Sequence, residues 1–101
     1  MRRVSRAAAA AGLALLLAPA HGADVGRGGA LYSQHCAACH GANGIAVMPG
    51  APHFARRERL MQPDVALLGS IKFGKNSMPA FVSKLKDQEI LDIVAYIRTI
   101  R

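Results

Sequence analysis

Cys36-Ala37-Ala38-Cys39-His40 is the stretch on which the reading of this chain turns. C-x-x-C-H is the pattern of covalent haem attachment, and the chemistry explains its spacing. Two thiols add to two vinyl groups on one edge of a porphyrin, so the turn between them has to be short. The next residue then swings its imidazole beneath the iron. Ala37 and Ala38 leave room for the ring, and His40, directly after Cys39, is placed as the proximal iron ligand. Other chemistries suit these residues less well. A thioredoxin-like C-x-x-C sits near a βαβ pattern, and no strand-like alternation flanks this one. A structural zinc ion takes four ligands; Cys36, Cys39 and His40 cannot readily share one tetrahedral ion, and with only two cysteines there is no second C-x-x-C. A disulfide between Cys36 and Cys39 would close too small a loop to stabilise much.

With 101 residues the chain has room for one small domain at most. That length and the two cysteines exclude a two-domain enzyme and a disulfide-dense scaffold. Apolar residues make up 51%, too many for a disordered tail. The N-terminal stretch reads as a targeting segment. Met1-Arg2-Arg3-Val4-Ser5-Arg6 is basic, and Ala7 to Ala18 is a run of 12 uncharged residues rich in Ala and Leu. Spanning a bilayer takes about 20. Ala18-Pro19-Ala20 offers small residues at signal-peptidase spacing, with Ala20-His21-Gly22 and the bond after Ala23 as rivals. A secretory signal peptide is therefore expected over 1–23, cleaved between 20 and 23, ahead of a domain at 24–101. An uncleaved N-terminal anchor is the competing reading. Arg2-Arg3 lacks the apolar residues that follow a twin-arginine signal, which favours export of the unfolded chain.

Loss of 1–23 removes three arginines and lowers the formal charge from +7 to +4. Much of the basicity thus belongs to targeting. No basic block or aromatic-interleaved strand remains to support nucleic-acid binding, and no apolar run after residue 23 could span a membrane. Export also suits the motif, because haem is joined to cysteine outside the cytoplasm; the periplasm of a bacterium is the expected location. A domain this size buries only about 60% of its unfolded surface and is marginal without a staple. The Cys36–His40 site is the one candidate staple.

Three helices and long loops are expected beyond residue 23, an all-α class. Asp24 can cap a helix to about Gln34, with Val25, Gly28, Leu31, Tyr32 and His35 at helical spacing. Gly28-Gly29 weakens it by roughly 1 kcal/mol per glycine unless another helix crosses there. Gly41-Ala42-Asn43-Gly44 is turn material. Residues 45–62 should be irregular, with one helical turn near Arg56–Leu60. Pro63 suits a first helical position, Asp64 favours the same end, Val65, Leu68 and Ile71 share a face, and Gly74 ends that helix. The last helix opens at Lys86 or Asp87. Ile90, Ile93, Val94, Ile97 and Ile100 form its apolar stripe, and Gln88, Glu89, Asp92 and Arg98 are expected to face water.

A haem iron with one histidine needs an answer on its other face, and methionine is a common one. Met78 is the choice. It lies in Lys75-Asn76-Ser77-Met78-Pro79-Ala80-Phe81, a loop between two expected helices that can wrap the far face of the ring. Met48 follows His40 too closely to reach that face without rounding the haem edge. Met61 is expected in the core, His53 in solvent, and His35 pointing outward.

The run Gly28 to Tyr32, the motif Cys36 to Gly41, Ser77-Met78-Pro79-Ala80-Phe81 and the helix from Asp87 to Ile100 with Ala95-Tyr96-Ile97-Arg98 together resemble a class I, monohaem cytochrome c. The likeness spans nearly all of the chain after residue 23. It implies a cytochrome c fold of three to four helices wrapped round one covalently bound haem c and its iron. It implies that the first and last helices cross, with Gly28 and Tyr32 meeting Tyr96 or Ile97. It also implies a proline carbonyl bonded to the His40 imidazole, with Pro52 the better match and Pro49 its rival. Lys86 stands where relatives often carry a capping Ser, so Asp87 is the alternative cap. With no Trp in the chain, Asn76, Ser77 or an arginine has to serve the haem propionates.

The expected function is electron transfer, not enzymatic turnover. Cys36 and Cys39 hold the haem covalently, and His40 and Met78 fill both axial positions while the iron alternates between ferric and ferrous. Leu31, Phe54, Leu68, Ile71, Phe81, Ile93 and Ile97 are expected to line a dry pocket that raises the potential. Lys72, Lys75, Lys84 and Lys86 flank the Met78 loop and could steer a monomeric carrier onto an acidic surface of a redox partner. The alternatives are an accessory or haem-maturation cytochrome dedicated to one system, such as a nitrite reductase or a quinoprotein dehydrogenase, and a haem sensor or enzyme with displaceable Met78.

Overall fold

The computed structural model describes residues 22–101, so nearly all of the expected leader lies outside the described residues. The described part is built from α1 (Val25–His35), α2 (Ala37–His40), a 3₁₀ turn (Phe54–Arg56), α3 (Asp64–Phe73) and α4 (Asp87–Ile97). Among these residues strand pairing is confined to one isolated bridge between Lys75 and Met78. The class is all-α, as the periodicity implies.

Local sequence explains most of the helix ends. The Asp24 carboxylate accepts the Arg27 N–H at 2.9 Å and caps α1. α2 is the attachment motif itself, closed by Gly41 at φ 84, where a Cβ would fall 1.9 Å from the Ile45 carbonyl oxygen. Pro63 is the N-cap of α3, one position before its expected place, and Asp64 opens the helix. At α4 neither Lys86 nor Asp87 supplies the capping side chain. Glu89 reaches back to accept the Lys86 N–H at 2.9 Å, half of a capping box.

The core forms where α1 crosses α4. Tyr32, Ile90 and Ile93 are wholly buried, and Val94, Ile97 and Ile100 complete the expected stripe. The crossing is possible because Gly28 has no side chain: a Cβ there would lie 1.9 Å from the Asp92 carbonyl oxygen. Gly29 faces the Tyr96 ring instead, 2.9 Å from where its Cβ would be. Tyr32 packs on Tyr96 with centroids 5.3 Å apart. Gly28 thus meets the backbone of α4, and Tyr32 meets Tyr96 as the family likeness implies.

Four expectations need correcting. Asp92 does not face water; it is 1% exposed. Its Oδ1 accepts the Asp24 N–H at 2.9 Å and Gln88 Nε2 at 3.0 Å, and Oδ2 pairs with Arg27 Nε at 2.9 Å. Burial alone would raise its pKa, but these donors outweigh burial and hold the carboxyl below its ordinary value. Met61 is not in the core but 96% exposed, and its neighbour Leu60 is buried in its place. Val65 is 71% exposed, because the packed residues of α3 begin at Leu67 and run through Leu68 to Ile71. The turn expected near Arg56–Leu60 begins two residues earlier, where buried Phe54 is drawn into the interior.

Gly28→Ala should cost roughly 3 kcal/mol, because the clash is with backbone that cannot yield. Gly29→Ala should stay within about 1 kcal/mol, because a tyrosine ring can shift and alanine favours the helix. Chemical denaturation of the two variants measures the contrast, and equal losses would contradict this crossing. Asp92 is ionised in the folded state with a depressed pKa, so its stabilisation is complete above the ordinary carboxylate range and is lost as pH falls through the lower folded value. Asp92→Asn should cost roughly 2 kcal/mol at neutral pH and flatten the acid limb of stability against pH.

Candidate haem site

The turn at Cys36–His40 and the loop at Lys75–Met78 both line a cavity of about 780 Å³. That is within the usual range for a bound organic group, about 300–1,000 Å³. Cys36, Cys39 and His40 lie on one wall, and Asn76, Ser77, Met78 and Pro79 contribute another. The elements explain the placement. Tyr32 O–H donates to the Gly41 carbonyl at 2.7 Å and fixes the far end of α2 to α1. That phenol is wholly buried, and burial is the main cause of its pKa rising to about 12. Val47 and Met48 N–H both donate to the Cys39 carbonyl, at 2.8 and 3.0 Å, which ties the following loop back to the motif.

His40 is 7% exposed, and its Nδ1 donates to the Pro52 carbonyl at 3.3 Å. Pro52, not Pro49, therefore holds this ring. Phe54 stacks on it with centroids 4.5 Å apart and planes 19° from parallel. Burial lowers the His40 pKa, and the Pro52 bond opposes this in part. The imidazole is thus favoured neutral, with Nδ1 protonated and Nε2 free to act as a donor of electrons. Cys36 is buried and Cys39 half-buried, and no disulfide joins them. Burial pushes the Cys36 thiol up to about 11, helped by its neighbour Cys39.

The Met78 loop is a tight turn. Lys75 and Met78 exchange backbone hydrogen bonds of 3.1 and 2.9 Å, with Asn76 in the left-handed region at φ 55. Met78 is half-buried and packs against the core. Met48 also lines the cavity, on the segment tied to the motif by Cys39. The donor set fits haem: two thiols, an imidazole with its second nitrogen engaged, and a thioether border one largely apolar cavity. Among the described residues no three His, Cys, Asp or Glu side chains converge as ligands of a lone metal ion would.

Phe54, Ile71 and Ile97 line the cavity as expected, whereas Leu31, Leu68, Phe81 and Ile93 do not. Phe81 and Ile93 are buried in the core behind it. Leu60, Leu67 and Val94 take their places. Leu67 was discoverable, since it precedes Ile71 by one helical turn. The Leu60 segment carried no periodic signal. Asn76 and Ser77 reach the cavity wall, joined by Arg59. His53 is not free in solvent; its Nδ1 accepts the Ala46 N–H at 2.8 Å and its own N–H donates to Glu58 Oε1 at 2.8 Å. His35 sets its ring edge-on to Phe81, 6.0 Å between centroids, and is only half-buried. The four lysines do not form one ring. Lys75 borders the cavity, Lys72 pairs with Asp87 at 3.0 Å, and Lys84 and Lys86 share a separate groove with Lys72.

Comparison with known proteins agrees with this geometry. Residues 23–97 match the family described as cytochrome c oxidase, cbb3-type, subunit III. The chain belongs to the class I, monohaem c-type cytochromes, which hold covalent haem c and act as electron carriers, not enzymes. Cytochrome c6 of Thermosynechococcus vestitus is 38% identical over 95% of this chain and 88% of its own. Cytochrome c6 of Gracilaria tenuistipitata is 35% identical over 74% of this chain and 71% of its own. The solved cytochrome c6 of the diatom Phaeodactylum tricornutum superposes with a TM-score of 0.63 at 33% identity, covering 73% of this chain and 90% of that one.

Proposed function

We propose that Cys36 and Cys39 carry the haem, that His40 and Met78 are the axial ligands of its iron, and that the chain is an exported, periplasmic one-electron carrier between respiratory or other periplasmic redox proteins. The observation that carries this reading is the convergence of Cys36, Cys39, His40 and Met78 on one cavity, with His40 Nδ1 already committed to Pro52.

Bound there, haem supplies a one-electron ferric/ferrous couple. The protein's own groups tune it. The Pro52 bond fixes the imidazole tautomer and makes Nε2 a better donor. A thioether opposite raises the potential relative to a second imidazole. Leu67, Ile71, Val94 and Ile97 keep the cavity apolar, which disfavours the ferric cation. With His40 and Met78 both given to it, the haem would have no open position for a substrate. The leader expected over residues 1–23 accords with export. Lys75 and Arg59, both at the cavity and without an ion-pair partner among the described residues, are the cations placed for docking on an acidic partner.

The ferric protein should show the far-red charge-transfer band of a thioether-ligated haem, and the ferrous protein should resist carbon monoxide. Met78→Ala should abolish the band and admit carbon monoxide rapidly. A wild type that lacks the band and binds the gas at once would place the chain among ligand-binding haem proteins. Docking makes a separate prediction. Stopped-flow electron transfer to an acidic redox protein should slow severalfold between roughly 10 and 200 mM salt, as screening shortens, and Lys75→Glu should slow it at low salt. A rate indifferent to salt would remove the acidic partner.

A further inference from the structure

Arg98 grips the backbone of the segment that follows Arg57, and Arg57 grips the backbone of Arg98. Arg98, directly after α4, donates from Nη1 to the Leu60 carbonyl at 2.6 Å and from Nη2 to the Gln62 carbonyl at 2.8 Å. Its Nε and Nη2 also reach Asp64 Oδ1 at 3.0 and 2.8 Å. Arg57 returns the grip: its Nη1 donates to the Arg98 carbonyl at 2.8 Å and to the Ile100 carbonyl at 3.4 Å. The span so held, from Arg57 to Asp64, contributes Glu58, Arg59, Leu60 and Gln62 to the cavity wall.

Two other side-chain bonds touch this span: Glu58 Oε1 accepts the His53 N–H at 2.8 Å, and Gln62 Nε2 donates to the Arg59 carbonyl at 2.9 Å. Arg57 and Arg59 both sit in the left-handed region, at φ 65 and 67. Each such residue costs on the order of 1 kcal/mol and persists only where its surroundings impose it. One backbone bond lies within it, from the Leu60 N–H to the Arg57 carbonyl, and it is long at 3.3 Å. Yet Leu60 is 5% exposed and faces the same cavity as His40 and Met78. The carbonyls of Leu60 and Gln62 are taken by the guanidinium, so the segment is anchored through its backbone while the Leu60 side chain closes the apolar wall.

We infer that Arg98 is a positioning residue for the redox site: with Arg57 it fixes the Arg57–Asp64 span as a closed wall, keeps water from the haem and thereby holds the reduction potential up. The inference rests on the haem site proposed above. Arginine is required because its planar fork serves two carbonyls and a carboxylate at once, whereas a lysine ammonium keeps the charge without that geometry. The Asp64 ion pair is the lesser part, since the Asp64 side chain is 63% exposed and exposed pairs contribute little.

The test uses the exported holoprotein and its Arg98→Lys, Arg57→Gln and Asp64→Asn variants. Midpoint potential is read by spectroelectrochemistry, and hydrogen exchange is compared between the amides of 58–62 and those of α4. Arg98→Lys should shift the potential negative and speed exchange at 58–62 by about tenfold or more relative to α4. Arg57→Gln should move both in the same direction, and it carries the test if Arg98→Lys does not accumulate. Asp64→Asn should leave both near wild type. An Arg98→Lys protein with lower thermal stability but unchanged potential and uniform exchange would reduce Arg98 to a purely structural role. An Asp64→Asn effect as large as that of Arg98→Lys would overturn the backbone clamp in favour of the ion pair. Covalent haem content, assayed on each sample, separates the two levels: haem present with an unmoved potential defeats the clamp alone, and haem absent from the wild type defeats the site.

Discussion

The short turn from Cys36 to His40 puts two thiols and an imidazole on one wall of a cavity of about 780 Å³, and the remaining structure is arranged to close that cavity. A chain this small has little apolar surface to bury, and much of what it has lines a space that only a large planar group fills. The α1–α4 crossing is the part that stands by itself. It needs Gly28 for the close approach and Tyr32 to link the crossing to the end of the motif through Gly41. From that anchor the chain runs through two long loops, each held by a few specific bonds in place of a helix ladder.

Those bonds decide the electronic character of the site. Pro52 sets the histidine tautomer, Phe54 stacks on the ring, and the Lys75–Met78 turn brings a methionine to the same cavity. Charge is kept at the border, with Arg59 and Lys75 at the rim and isoleucine, leucine and valine within. The buried carboxylate of Asp92 sits away from this cavity, at the helix crossing, where it ties the start of α1 to α4. Asp92 therefore serves the helix crossing, apart from the cavity groups to which the proposed redox role belongs.

Much of this was legible in the residues. C-x-x-C-H has few competing meanings in a small chain whose first residues read as an export leader. The stripe from Ile90 to Ile100 has one period only, and Asp24 and Gly74 mark helix ends through chemistry that depends on no distant partner. The misread residues share a different property: their environment is made by remote chain. Asp92 looks like a surface acid on α4 until Arg27 and the Asp24 N–H arrive from α1. Leu60 and Met61 are adjacent and both apolar, and the one that turns inward is the one whose carbonyl a remote residue, Arg98, holds. His53 gained a partner from Ala46 across a loop with no periodicity to follow.

Thioether attachment at the motif is the claim on which everything else depends, and peptide mass spectrometry of the exported protein tests it most directly. Trypsin should release Gly28–Arg56 as one peptide that holds both cysteines and His40. The account predicts that this peptide carries the mass of one haem and resists alkylation at Cys36 and Cys39. A peptide of unmodified mass that takes up two alkyl groups would contradict it.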